Sequence, residues 1–121
     1  MEVNGHILCS QIIALEQDLD AKSRGLQELG EKMADSQRAL AVRVRAEILR
    51  MAQGDSKLPK EILSSSTLTM KVVEGEPDIA ALQWEADVAK QVYFARRDAM
   101  ENTRSKLMSH NTLLSYVKSI P

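Results

Sequence analysis

"IAALQWEADVAKQVYFARRDAMENTRSKLMSHNTLLSYV", residues 79–117, decides the fold. Ile79, Leu82, Ala86, Ala89, Tyr93, Met100, Leu107, Leu114 and Val117 follow one another in steps of three and four, with Arg96, Thr103 and His110 as polar members of the same series. Side chains so spaced share one seam of a helix that packs lengthwise on another helix. The pattern predicts a long helix over 78–119. A second stripe, Ala81, Val88, Val92, Ala95 and Ala99, runs beside the seam in its first half only. It predicts a second neighbour there, either the connecting segment or another subunit.

The partner for that seam lies at the other end of the chain. Leu8, Ile12, Leu15, Leu19, Leu26, Leu29, Met33, Leu40, Val44, Ile48 and Met51 recur at threes, fours and sevens, which predicts a first long helix over 8–53. Lys22 and Ser36 fall where the stripe should be apolar, and Gly25 and Gly30 each cost about 1 kcal/mol relative to alanine. A bend or fraying near 25–30 is therefore expected. Gly54-Asp55-Ser56 stops the helix, and Pro59 suits the first turn of a new one. The stretch KEILSSSTLTMKVV, 60–73, mixes apolar positions with a Ser/Thr run that makes poor helix. One or two short helical turns are expected there, with a small extended piece as the alternative. Gly75-Glu76-Pro77-Asp78 breaks the chain, and Asp78 is a candidate cap for the last helix. The expected fold is all-α: one domain over 1–121, with two long antiparallel helices, an irregular connector over 54–77, and assembly as a helical homo-oligomer.

Composition supports helices and narrows the chemistry. Aromatic residues make up only 3% of 121 residues, and Cys9 is the single cysteine, so no internal disulfide and no Cys/His metal pattern can form. No apolar run approaches the roughly 20 residues that span a bilayer, and MEVNGHILC lacks the basic start and apolar stretch of a signal peptide. A cytoplasmic protein is expected. His6 and His110 lie far apart, with no ligand or nucleophile pattern near either, and there is no phosphate loop. The reading is of a protein that is not an enzyme, with no catalytic residue, metal or cofactor. Cys9 reads as a small buried residue and His110 as a hydrogen-bonded seam residue, while Trp84 and Tyr93 read as packing residues.

Charge is the informative feature. The net charge is only -1, yet residues 37–60 carry Arg38, Arg43, Arg45, Arg50, Lys57 and Lys60 against Glu47 and Asp55, a local balance of +4. Arg38 and Arg45 are seven apart, as are Arg43 and Arg50, so each pair forms a row along the helix. With Leu40, Val44, Ile48 and Met51 facing the core, the arginines are expected to form one outward basic surface continued by Lys57 and Lys60. Glu47 is the only acid between Arg38 and Asp55, so most of these guanidinium groups lack a local partner and suit phosphate oxygens. The alternative is an ordinary solvated helix face.

The order of four elements resembles phage recombination mediators of the UvsY type. They are a basic-apolar-basic triplet, Arg43-Val44-Arg45; a Gly54-Asp55 turn; Met70-Lys71-Val72-Val73; and, after an acidic turn, a long helix with an early aromatic, Trp84. The likeness spans roughly 40–110. The chain departs from it in having Arg43 where the family has lysine and Ile48 and Leu49 where it has aromatics, and in a shorter 74–84 stretch. The resemblance implies binding of single-stranded DNA, with Arg43 and Arg45 central and Arg38, Arg50, Lys57 and Lys60 supporting. It also implies a homo-oligomeric ring whose partners are a RecA-like recombinase and a single-strand-binding protein. The competing expectation is a structural or adaptor coiled coil, as in a phage or secretion scaffold, whose arginines dock an acidic protein.

Overall fold

The computed structural model describes residues 5–119, and everything described is helix, turn or loop without a strand. Helix α1 runs Gly5–Gln53, a 3-10 turn spans Lys60–Ser64, α2 runs Leu68–Gly75 and α3 runs Pro77–Ser119. The hydrogen-bonded helix passes without a break through Gly25 and Gly30, so the expected fraying is absent. Packing divides the chain into two compact units. One joins the start of α1, as far as Leu29, to the end of α3 from Tyr93 onward, and the other is Gly30–Val92.

In the first unit the start of α1 packs on the end of α3. Leu8, Ile12, Met100 and Thr103 are buried, and half-buried Leu15, Leu19, Leu107 and Leu114 continue the two stripes. Gly5 faces Val117, with only 3.7 Å between a β-carbon built on Gly5 and Val117 Cγ1. Further along, Lys22 Nζ donates to Thr103 Oγ1 at 2.7 Å. A contact early in α1 with the end of α3, followed by a later one with an earlier part of α3, makes these segments antiparallel. The Lys22–Thr103 bond joins the polar interruptions of both stripes. Asp18 completes the rung, receiving Lys22 at 2.8 Å and Thr103 at 3.3 Å, and the Lys22 hydrogen bond holds its carboxyl below the usual range. Two buried or half-buried polar groups that satisfy each other fix the register of the pair.

The second unit holds the larger apolar cluster. Val44, Met51, Val72 and Ile79 are buried together, with Leu40, Ile48, Leu58, Ile62, Leu63, Leu68 and Val73 packed around them. α1 ends in a Schellman motif, in which Gly54 N donates to Met51 O at 3.1 Å and Asp55 N to Arg50 O at 2.9 Å. Gly54 has φ of 79°, a left-handed conformation that glycine adopts without steric penalty. The Ser/Thr run of the connector makes a turn between helical pieces, where Ser65 Oγ accepts from Thr67 N at 3.2 Å and Ser64 Oγ donates to Glu61 O at 3.0 Å. The connector is thus helical on both sides of that turn. Leu68 and Val72, one turn apart on α2, face the cluster. Pro77 opens α3, and Asp78, in its first turn rather than at its cap, is drawn to an arginine of α1.

Candidate nucleic-acid interface

All six cationic candidates belong to the second unit, and the helix sorts them into two sets. Arg38 and Arg45 are exposed on the side of α1 away from the cluster, and neither makes an ion pair among the described residues. The same holds for Lys57 and Lys60 in the connector. Val42 and Leu49 share the outward face and are 58% and 59% exposed. Arg38, Val42, Arg45 and Leu49 follow at steps of four, three and four, so cations alternate with apolar side chains along one stripe.

Arg43 does something else. Arg38 and Arg43 are five residues apart, which turns the helix by about 140°, so the two rows cannot form the single outward surface expected. Arg43 is half-buried and lies against Glu47 and Asp78. Its Nη1 donates to Glu47 Oε2 at 2.8 Å, its Nε to Asp78 Oδ2 at 2.7 Å and its Nη2 to Asp78 Oδ1 at 3.3 Å. The fork thereby ties α1 to the first turn of α3 within this unit. These bonds, the one to Asp78 above that to Glu47, raise the guanidinium's affinity for its proton further. Asp78 is lowered first by its hydrogen bond from Arg43.

Glu47 is the centre of this arrangement, with only 1% of its surface exposed. It accepts from Ser56 Oγ as well as from Arg43, and Arg50 Nη1 stands 3.6 Å from the same Oε2. The Ser56 bond and then the Arg43 bond depress its carboxyl below the ordinary range against the opposing effect of burial. Ser56 Oγ in turn accepts from Leu58 N at 3.1 Å. The carboxylate therefore holds the chain just after α1 in place. Arg50 also donates to Asp55 O at 3.3 Å but stays largely exposed.

The remaining candidates are placed as follows. Tyr93 and Phe94 meet edge to face at 5.5 Å, and Arg97 covers Phe94 at 4.5 Å. Trp84, expected to pack inside, is 71% exposed. His110 is half-buried, with Nδ1 2.8 Å from Lys106 O, and Cys9 is half-buried with a free thiol. Among the described residues no group of three or more His, Cys, Asp or Glu side chains is arranged to hold a metal, and no helix is long and apolar enough to cross a membrane. The sequence reading missed Val42 and Leu49 as members of the basic face, although their spacing from Arg38 and Arg45 was visible. It also missed Asp78, thirty-five residues from Arg43 in the chain, where no local pattern reaches.

No protein-family model matches the chain, and no curated protein or solved structure matches it either. The chemistry of its own surface is what bears on function.

Proposed function

We propose that this chain binds single-stranded DNA through the outward stripe of α1 and the loop after it, and acts as a recombination mediator. In that role it helps load a RecA-like recombinase onto DNA coated by single-strand-binding protein. The observation that carries the reading is the row Arg38–Val42–Arg45–Leu49, with unpaired Lys57 and Lys60 beyond it. Unpaired guanidinium and ammonium groups meet backbone phosphates, and exposed aliphatic groups between them offer contact to unstacked bases. Arg43 belongs to this site as a positioning residue, because its donors are taken by Glu47 and Asp78. Homo-oligomeric assembly, as the resemblance to UvsY-type mediators implies, would align the strip of each near-neutral subunit into a longer track.

The test is fluorescence anisotropy with a labelled oligonucleotide at two salt concentrations. Arg38→Ala/Arg45→Ala is expected to weaken binding at least about tenfold at low salt, and the log-log salt slope should become shallower by about 0.7 for each phosphate that the variant no longer neutralises. Unchanged binding in that variant rejects the site. A second reading rests on the same stripe: cations alternating with Val42 and Leu49 also suit an acidic amphipathic helix, as an adaptor or scaffold would dock. A chain that binds no oligonucleotide and captures an acidic helix supports that reading instead.

A further inference from the structure

Helix α3 turns a second apolar row to solvent, on the side away from its buried seam. Trp84, Val88 and Val92 are all exposed, and their four-residue steps keep them within about 80° of one another around the helix. Contiguous exposed apolar side chains of this size mark a contact surface. Two ions flank the row. Glu85 and Arg96 are both exposed, and neither makes an ion pair among the described residues. Eleven residues separate them, which returns the helix to within about 20° of the same side. The rise between them is about 16 Å, so they cannot reach each other within one helix.

A second copy laid antiparallel brings them together. With a two-fold axis level with position 90, residues whose numbers add up to 180 stand level, so Glu85 of each copy lies within one residue, about 1.5 Å of rise, of the partner subunit's Arg96. In the same register Val88 stands opposite the partner subunit's Val92. The large Trp84 lies within one residue of level with the small, exposed Ala95 of the partner subunit. Charge and size thus complement each other in one register, as a self-complementary two-fold contact requires. We propose that this face of α3 is the docking surface for a second copy of the chain, antiparallel, with reciprocal Glu85–Arg96 ion pairs. The contact is independent of the arginine stripe on α1 and stands whether or not that stripe binds DNA.

Trp84 is the only tryptophan in the chain, so its emission reports on the contact directly. Sedimentation equilibrium and fluorescence across a dilution series are expected to show association accompanied by a blue shift. Glu85→Arg and Arg96→Glu should each weaken association about tenfold, and the double variant should recover to within about threefold of the original, because reversing both ions restores the pairs. Circular dichroism of each variant checks that the helices remain. A chain that stays monomeric at every concentration overturns the proposal. Association that the single reversals leave unchanged, or that the double reversal fails to restore, overturns it as well, as does a Trp84 emission that shifts only when a foreign basic helix is added.

Discussion

The two units solve the same problem, a polar group inside a helix pairing, in different ways. In the first, a rung runs from buried Thr103 out to the edge of the pair, with Asp18 half exposed and Lys22 about a quarter exposed. In the second, Glu47 is sealed beneath the connector and gathers Arg43, Ser56 and Arg50 around it. The difference teaches where the chain's stability is concentrated. An edge rung exchanges water for protein partners at little net gain. A sealed carboxylate has no water to fall back on, so removing any one partner leaves a desolvated charge.

Substitutions at matched places should separate the units. The largest effect is expected from Met51→Ala, which empties the centre of the second unit's cluster and should cost about 3 kcal/mol in chemical denaturation. Next comes Glu47→Gln, which keeps the shape but weakens the bonds from Arg43 and Ser56, at about 2 kcal/mol. Gly54→Ala forces a β-carbon into the left-handed position that closes α1 and should cost about 1 kcal/mol. The smallest effect belongs to the first unit, where Lys22→Met removes an edge ion pair and restores the apolar stripe, for a change within about 0.5 kcal/mol. A Lys22→Met loss as large as that of Glu47→Gln would show that the two devices are equivalent after all.

Acid offers a sharper comparison. Glu47, Asp78 and Asp18 all hold their protons less tightly in the folded chain than ordinary carboxyls do. The unfolded chain therefore takes up more protons in the acid range, and stability rises with pH there. Their contribution is complete above the ordinary carboxylate pKa of about 4 and is lost as pH falls through the lower folded values. Thermal unfolding followed by circular dichroism should accordingly show a falling midpoint below about pH 4. Glu47→Gln should flatten that fall, because one of the titrating groups is gone.

Much of this was legible in the residues alone. The steps of three and four from Ile79 to Val117 marked α3 and its buried side, and Gly54 marked the end of α1, because periodicity and left-handed glycine are local properties of the chain. The polar departures were visible too, but only as anomalies: Lys22 and Thr103 each interrupted a stripe, and neither position named the other. Glu47 looked like a minor acid in a basic segment.

What the sequence by itself determined is the helical architecture and the local concentration of positive charge, since both follow from spacing within a few turns. Tertiary structure decided which of those charges remain available. It joined Arg43 to Asp78 across thirty-five residues and sealed Glu47 beneath the loop, while leaving Arg38, Arg45 and Trp84 in water. The physical reason is that a charge acts through the partners within a few ångströms of it, and those partners are chosen by how helices pack rather than by their order along the chain.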